Sequence, residues 1–445
     1  MCCFNGTYFF AYEKEGNNMT NEVIFKGEEQ LKKETGAVKP PQVVKLTDKA
    51  YAFMYFGMSN ATLFIGDTSC VLVDAFDSDY YGELAKKEIE QITNKPVKTI
   101  FYTHVMHNDH SGGAGVFADT VENVIQHCSN TVVLGRQELI QNVFMKRLMR
   151  QGGIGLSLDE AISLGLGPIT DAKGAPKPLP ATRMLNNDLE IFHIDGIELH
   201  CIAAPGETDD QMYVWVPGEK VICSGDNMYS CWPNLSALRG SQYRDVELWI
   251  KSIGKIKGCK ADYLVPGHGE VLLGADVVED MVASYYDAIN WVFEETLKGM
   301  DKGLTPDELV KEIQLPEKWR TRANLQEYYG NVEWSIRGIF AGYLGWFDGN
   351  PTNIGSLHVK DKAERQLKLI GGAEKVANEI KESLEKQTID DMQWAMELCD
   401  IMLNAGVMYE EAKVWKAEAC VFLGRMQVSA NGRHYYLACA KDLQK

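Results

Sequence analysis

The chain has 445 residues, which is too long for one ordinary domain and suits a large domain followed by a smaller one. Acidic residues outnumber basic residues by 62 to 45, and the formal charge of −17 argues against binding to nucleic acids or to anionic membranes. The 45% hydrophobic and 24% charged content is typical of a soluble globular protein. A bound anionic substrate would therefore need local cationic groups, such as metal ions or arginines.

The cysteines and the N-terminal residues indicate a cytoplasmic location. The eleven cysteines are scattered, and no two are spaced as CxxC. An odd number at irregular spacing is typical of reduced thiols. The start, MCCFNGTYFFAYEKEGNN, lacks the cationic segment and long apolar core of a secretory signal, and no apolar run reaches the length of a membrane span. Met1 and Met19 are both candidate start residues.

Strand patterns dominate residues 46–273. The run YAFMYFGMSNATLFIG, the turn DTS and the run CVLVDAF predict paired strands, and VKTIFYTH predicts a strand that ends at a histidine. Further strands are predicted in DLEIFHIDGIELHCIAAPG, QMYVWVPGEKVICSG and ADYLVPGHGE. Polar residues follow several of these strands. Because α/β scaffolds carry their sites on loops that leave the sheet, the strand ends are candidate positions for functional residues.

Helical patterns dominate the chain after Gly274. They include an aromatic stretch, QEYYGNVEWSIRGIFAGYLGWFDGNPTN, that could line an apolar entrance or pack the helices against the preceding domain. We expect packing, with Trp346 and Phe347 internal. The last two patterns, TIDDMQWAMELCDIMLNAG and MYEEAKVWKAEACVFLGRM, predict an antiparallel helical hairpin. We divide the chain into an N-terminal extension (1–45), an α/β domain with a helical and aromatic extension (46–355) and a helical domain (356–445).

The run YTHVMHNDHSGG concentrates metal-binding side chains in one loop. Imidazole and carboxylate groups bind zinc and related metals at neutral pH, although such a loop alone is also compatible with a solvated polar turn. Three further donors follow the strand ends APG, CSG and VPG, where glycine permits a sharp turn. The seven candidate ligands are His104, His107, Asp109, His110, Glu207, Asp226 and His268. This number suffices for two metal ions and a bridging group.

These motifs resemble those of the metallo-β-lactamase superfamily, in which ligands occur in contexts like HNDHSGG, SGD and PGHG. The runs GMSNATLFIGDTSCVLVDAFDS, NLSALRGSQYRD, LQEYYG and YLGWFDGNP resemble its alkylsulfatase branch, from about Met58 to the end of the chain. The resemblance implies an αββα sandwich of the α/β class with an all-α C-terminal dimerisation domain. It also implies a homodimer formed through the C-terminal helices and hydrolysis of alkyl sulfate esters.

The resemblance further implies a role for each candidate ligand on two zinc ions, with manganese or iron as alternatives. The first ion would be bound by His104, His107 and Glu207. The second would be bound by Asp109, His110 and His268, and Asp226 would bridge both. A hydroxide between the ions would act as nucleophile or base, so Asp226 and Asp109, which could orient the hydroxide, are the predicted catalytic residues.

Two arginines in ALRGSQYRD meet the need for a cationic group. A planar guanidinium can donate to two oxygens of a tetrahedral oxyanion, which makes Arg239 and, less strongly, Arg244 candidates for substrate binding. A surface salt bridge is the alternative for both. Asn227, next to Asp226, is a further candidate for a sulfate contact.

The sequence departs from the family pattern at three places. The histidine motif reads H-x-x-H-x-D-H, with one residue more than H-x-H-x-D-H, and we expect a bulge at Val105 or Met106 that lets His104 reach the first ion. The stretch RQGGIGLSLDE lacks the tyrosine that helps to hold sulfate in the branch. In the branch a sterol-carrier-like domain usually follows the helices, and the residues up to Lys445 contain no such domain.

These departures leave other functions open. A hydrolase of lactones, phosphodiesters or thioesters could use the same metal pair. A diiron redox protein would also use a glutamate at the position of Glu207, but it needs an electron donor, and the sequence has no flavodoxin-like or rubredoxin-like pattern. A non-catalytic metal-binding or scaffold protein is the remaining alternative.

Overall fold

The structure of the protein is a computed structural model that describes residues 24–36, 39–128, 139–167 and 173–445. Two β-sheets form its centre. The first contains β1 (Gln42–Lys45), β2 (Ala50–Met54), β3 (Ala61–Ile65), β4 (Cys70–Val73), β5 (Val97–Phe101), β6 (Asn123–His127) and β7 (Arg183–Leu185). The second contains β8 (Leu189–Ile194), β9 (Ile197–Ala203), β10 (Met212–Val216), β11 (Val221–Gly225), β12 (Tyr263–Pro266) and β13 (Leu272–Leu273).

Parallel strand pairs in both sheets place several loops at one edge. In the first sheet the strands follow chain order, antiparallel from β1 to β4 and parallel from β4 to β7. The second sheet has the order β13-β12-β11-β10-β9-β8, and only β11 and β12 are parallel. Because parallel neighbours end at the same edge of a sheet, the loops after β4 and β5 lie side by side, as do those after β11 and β12.

Helices cover the outer faces of both sheets and form the C-terminal region. They are α1 (Lys26–Thr35), α2 (Asp79–Ile92), α3 (Gln141–Gln151), α4 (Leu158–Ala161), α5 (Val246–Cys259), α6 (Ala275–Asp301), α7 (Pro306–Glu312), α8 (Glu317–Arg320), α9 (Val332–Leu344), α10 (Val359–Ile370), α11 (Ala373–Lys386), α12 (Ile389–Ala405), α13 (Tyr409–Met426) and α14 (Ala430–Leu443). None of the described helices has the length and apolar character that a bilayer span requires.

Alternating side chains divide the core into layers. Along β3, Phe64 packs between the sheets against Leu199 and Val214 of the second sheet. Its neighbour Leu63 points the other way and packs with Ile89 of α2. Helices α5 and α6 cover the second sheet in the same manner, and α9 packs on α6. The predicted αββα sandwich is therefore confirmed.

The C-terminal helices α10 to α13 build a separate apolar core around residues such as Ile380, Leu398 and Phe422. Helices α12 and α13 pack together across a short turn, as the sequence predicts for a helical hairpin. Gly406 lies in this turn with φ of +70°, a conformation that glycine adopts without strain. The all-helical character predicted for this region is confirmed.

The described residues of the predicted N-terminal extension form part of the fold. Strand β1 lies before residue 46 and pairs with β2. In α1, Leu31 is fully buried, and Glu28 forms ion pairs with Arg425 and Arg433 of α13 and α14. The domain boundaries at residues 45 and 355 stay predictions.

Trp346 is the clearest difference from the sequence-based expectation. Its side chain is 79% exposed instead of internal, and Phe347 is only half-buried. Helix α9 ends at Leu344, and the next residue, Gly345, has a φ of +75°, which does not continue the helix. Tyr343, Leu344 and Ile354 of the same segment are also exposed. The expectation that Trp346 is internal is therefore wrong for a single copy of the chain.

Candidate metal centre

All seven candidate ligands converge at the sheet edge where the strands end. They form two groups, and in each group the potential ligand atoms lie within 4.8 Å of one another. The first group is His104, His107, Glu207 and Asp226, and the second is Asp109, His110 and His268. These are the groups that the family resemblance implies for the two ions.

Asp226 lies between the two groups. Its Oδ1 is 3.2 Å from His110 Nε2, and its Oδ2 is 3.3 Å from His268 Nε2 in the second group. The same Oδ2 lies 3.9 Å from His104 Nε2 in the first group. This central position is the one that a bridging carboxylate requires.

Several ligand atoms are buried without a hydrogen-bond partner. Within the described part of the chain, these atoms include His104 Nε2, His110 Nε2, Glu207 Oε2 and Asp226 Oδ1. His110 Nε2 and Asp226 Oδ1 lie 3.2 Å apart, and Glu207 Oε2 lies 3.3 Å from His107 Nδ1, but neither pair forms a well-aligned hydrogen bond. An unsatisfied buried polar atom costs about 1–3 kcal/mol, so atoms that converge in this way favour a shared partner. Imidazole and carboxylate donors in this number fit divalent ions such as zinc, manganese or iron.

The extra residue in the histidine motif is accommodated by the loop that carries Glu207. The N–H of Val105 donates to Asp210 Oδ2 at 2.9 Å, and the N–H of Met212 donates to the carbonyl oxygen of Thr103 at 2.8 Å. These bonds hold the chain on both sides of His104, whose imidazole is fully buried and directed toward Asp226. Ligation by His104 stays a prediction, and the geometry is compatible with it.

Two imidazoles are oriented by partners behind them. His110 Nδ1 lies 2.9 Å from Asp74 Oδ2, and His268 Nδ1 donates to the carbonyl oxygen of Met58 at 2.8 Å. Asp74 also accepts hydrogen bonds from the N–H and the hydroxyl of Thr103. In both histidines Nε2 is left facing Asp226, as is common for imidazoles that bind metals.

The imidazoles and carboxylates shift each other's pKa values. Burial opposes the charged form of each group, but attraction between Asp226 and the imidazoles outweighs burial. The pKa of His268 is raised to about 10, that of His110 is also raised, and that of Asp226 is held well below its ordinary value. Metal ions would displace protons from these imidazoles, because a ligand must be deprotonated to bind.

Arg244 is buried behind Glu207. Its guanidinium donates to Glu207 Oε1 and to the carbonyl oxygen of Asn234. Burial raises the pKa of Glu207, but Arg244 and then His107 outweigh burial and lower it. The structure thus pairs Arg244 with a candidate ligand; Arg244 also lines the cavity that opens onto the cluster, and the substrate contact suggested by the sequence stays a prediction.

Asn227 also supports the Glu207 loop. Its Oδ1 accepts the N–H of Glu207 at 3.0 Å, and Nδ2 donates to the carbonyl oxygen of Ala204 and to the hydroxyl of Tyr213. Sulfate offers only acceptor atoms, and both amide hydrogens of Asn227 are already donated. The geometry therefore gives Asn227 a positioning role instead of the predicted sulfate contact.

A cavity of about 560 Å³ opens onto the cluster. Its polar end includes His107, Asp109 and Glu207, and Arg239 lies beside them with Nη2 3.0 Å from His107 Nε2. The apolar wall is formed by Met58, Met106, Phe144, Leu148, Leu164 and Leu166. The cavity thus combines candidate metal ligands, a guanidinium and an apolar surface.

Comparisons with known proteins agree with this arrangement. Residues 54–268 match the metallo-beta-lactamase superfamily, and residues 305–445 match the alkyl sulfatase dimerisation family. A linear primary-alkylsulfatase of a Pseudomonas species is 31% identical over 388 residues, which cover 84% of this chain and 72% of that protein. The chain belongs to the alkylsulfatase family. It is therefore a hydrolase of the metallo-β-lactamase superfamily.

The chain is also similar to other alkylsulfatases. An alkyl/aryl-sulfatase of Saccharomyces cerevisiae is 26% identical over 90% of this chain and 64% of its own length. The solved structure of the sec-alkylsulfatase Pisa1 from a Pseudomonas species has the same fold, with a TM-score of 0.82 at 24% identity over 94% of this chain and 70% of that chain. The chain spans 61% to 72% of the length of four curated alkylsulfatases.

Sequence reasoning missed several residues at this candidate site. Asp74 follows β4 directly, with φ of +59°, so the same strand-end signal that found the other acids could have found it. Tyr329 and Gln151 line the cavity. No local pattern distinguishes these two residues, because one lies in an aromatic stretch and the other at the end of a helix.

Proposed function

We propose that the protein hydrolyses sulfate esters of alkyl alcohols with two divalent metal ions. The observation that supports this proposal is the cavity itself, in which the ligand cluster, Arg239 and an apolar wall face one space. An alkyl sulfate has a matching anionic head and apolar tail. Family membership supports the same reaction, because its curated relatives include primary and secondary alkylsulfatases.

Zinc is the metal we propose, with manganese and iron as alternatives. The first ion would be held by His104, His107 and Glu207, the second by Asp109, His110 and His268, and both by Asp226. Bound there, the ions would lower the pKa of a water molecule and neutralise charge on the sulfate. Asp109 Oδ2, 3.3 Å from His268 Nε2 and next to the cavity, would accept the proton of the attacking water and orient its oxygen.

Arg239 would bind the sulfate group. A guanidinium can donate two parallel hydrogen bonds to a tetrahedral anion, and this one already lies in the cavity beside His107. Tyr329 is a second donor, because burial raises its pKa and keeps its hydroxyl protonated at neutral pH. We propose that Tyr329 serves in place of the tyrosine that is absent from RQGGIGLSLDE. Met106 and Leu148, with the rest of the apolar wall, would contact the alkyl chain.

A substrate panel tests this proposal. Metal-loaded protein should release inorganic sulfate from alkyl sulfates of several chain lengths, and Asp226→Asn should lose both metal and activity. Lactones, thioesters and phosphodiesters of matched size serve as competing substrates. If only one of these classes is hydrolysed, that class replaces alkyl sulfates as the proposed substrate and the proposed metal centre is unaffected. A purified protein that binds no metal would contradict both the proposed substrate and the proposed metal centre.

We also propose a cytoplasmic homodimer. The match to the alkyl sulfatase dimerisation family includes the segment in which Tyr343, Leu344, Trp346 and Ile354 are exposed, and such an apolar surface is typical of an interface. The proposed compartment rests on the nine described cysteines, all of which are free. Cys2 and Cys3 lie outside the described residues.

A further inference from the structure

We propose that α3 positions Arg239 for anion binding and that α14 of the dimerisation region holds α3 in that position. The inference rests on the proposed function, in which Arg239 binds the sulfate group. It adds Gln151, Phe144 and His434 as positioning residues, although none of them belongs to either ligand group.

One face of α3 contacts the segment that carries Arg239. Gln151 Oε1 accepts the backbone N–H of Arg239 at 2.8 Å, and Arg147 Nη2 donates to the carbonyl oxygen of Leu238 at 2.6 Å. The guanidinium of Arg239 lies over the ring of Phe144, 5.4 Å from its centroid. Residues 144, 147 and 151 are spaced by three and four positions, so they share one side of the helix.

These contacts fix both the backbone and the guanidinium of Arg239. The hydrogen bond that the Arg239 N–H donates to Gln151 fixes the backbone from which the side chain extends, and the aromatic ring sets the plane in which the guanidinium lies. A fork of N–H donors matches sulfate oxygens only when this plane has the correct orientation. Gln151 is buried, so water does not compete strongly for its carbonyl group.

Helix α14 holds the C-terminal end of α3. His434 is fully buried, with Nδ1 3.0 Å from the carbonyl oxygen of Gln151 and Nε2 2.9 Å from that of Ala161. Arg150 forms an ion pair with Asp442 at 2.7 Å. The opposite side of α3 is exposed, including the apolar side chains of Met145 and Met149. The position of α3 therefore depends on its contacts with α14.

Gly153 supports this interpretation of the contact. A Cβ added there would lie 3.0 Å from the ring of His434, and the residue has φ of +71°. The chain after α3 therefore approaches the imidazole as closely as glycine allows. The last helix of the dimerisation region is thus linked through Gln151 to the cation of the cavity.

The inference predicts that variants of the positioning residues bind sulfate more weakly but bind the same amount of metal. The main variant is Gln151→Met, which keeps the length of the side chain but removes the acceptor. The matched control is Gln141→Met at the exposed start of the same helix. The affinity for inorganic sulfate is measured calorimetrically on metal-loaded protein, together with metal content and with kcat and KM for an alkyl sulfate.

We expect Gln151→Met to weaken sulfate binding and to raise KM by about five- to tenfold, the loss that corresponds to one hydrogen bond. Metal content should not change, kcat should change less than KM, and Gln141→Met should behave as the unmodified protein. His434→Phe should show the same pattern. The double variant should lose no more than about the larger single loss, because both residues act through one contact.

Equal sulfate affinity in Gln151→Met and Gln141→Met would overturn the inference, as would a metal loss that accompanies the weaker binding. An unmodified protein that binds no sulfate would also overturn it. If His434→Phe does not fold, the result for Gln151→Met alone tests the inference. Sulfate binding is measured without turnover, so a protein that hydrolyses no alkyl sulfate refutes the proposed function while a Gln151-dependent sulfate affinity still supports the positioning role.

Discussion

Replacement of Arg244 by methionine should destabilise the metal-free protein more than the metal-loaded protein. Arg244 and Glu207 form a buried ion pair in which the side chains are 5% and 1% exposed. The other carboxylate oxygen, Glu207 Oε2, lies 3.3 Å from His107 Nδ1 without a well-aligned hydrogen bond and faces the site of the first proposed ion. Methionine fills a similar volume but leaves the charge of Glu207 without its partner.

The two states should differ because only one of them supplies a replacement cation. Removal of one partner from a buried ion pair costs about 3–5 kcal/mol. A metal ion bound to Glu207 would compensate the carboxylate, which leaves mainly the hydrogen bond to the carbonyl oxygen of Asn234, a loss of about 0.5–1.5 kcal/mol. We therefore expect the variant to lose about 2–4 kcal/mol more stability without metal than with it.

Urea unfolding measures this difference directly, with a chelator in one series and excess metal in the other. Arg337→Met is the matched control, because Arg337 pairs with Asp307 and Glu333 at the surface and should lose about 1 kcal/mol or less in both series. Equal losses for Arg244→Met with and without metal would refute the reasoning, since they would mean that no cation reaches Glu207.

Three further predictions concern other parts of the chain. The pKa of Glu28 is lowered to about 2 because its hydrogen bonds and ion pairs with Arg425, Lys32 and Arg433 outweigh its burial. Its contribution to stability should therefore be complete above pH 4.5 and disappear as the pH falls toward 2; acid unfolding of Glu28→Gln checks this, and a constant difference at all pH values would contradict it. Metal uptake at pH 7 should release protons from the imidazoles, so the calorimetric heat should vary with the ionisation enthalpy of the buffer; a buffer-independent heat would be the contrary result. Trp346→Asp should shift light scattering from dimer toward monomer, and an unchanged dimer would move the interface elsewhere.

The convergence of the candidate ligands can be predicted because all of them lie in loops that leave a strand, after β5, β9, β11 and β12. Glycine or proline marks the turn beside Glu207, Asp226 and His268, and strand ends in a layered α/β fold meet at one edge. The fold then brings together loops that are far apart in sequence. Local pattern and global topology agree at these positions, so the convergence of the seven side chains follows from the sequence, while their binding of metal stays a prediction.

The positioning residues could not be predicted in the same manner. The contact between Gln151 and His434 joins positions 283 residues apart, and that between Glu28 and Arg433 joins positions 405 apart. Neither has a local motif. Trp346 shows a different limit of sequence-based prediction. A hydrophobic side chain is expected to be buried, but the sequence does not tell whether the surface that covers it belongs to the same chain or to a second copy.

Reconstitution of the activity with metal tests the proposed reaction most directly. Metal-free protein is titrated with zinc while inorganic sulfate released from a medium-chain alkyl sulfate is measured. Activity should be absent at first, rise with added metal and saturate at about two ions per chain, as the two ligand groups imply. Alkyl sulfate hydrolysis without metal, or saturation with zinc and no sulfate release while another ester is hydrolysed, would contradict the proposal.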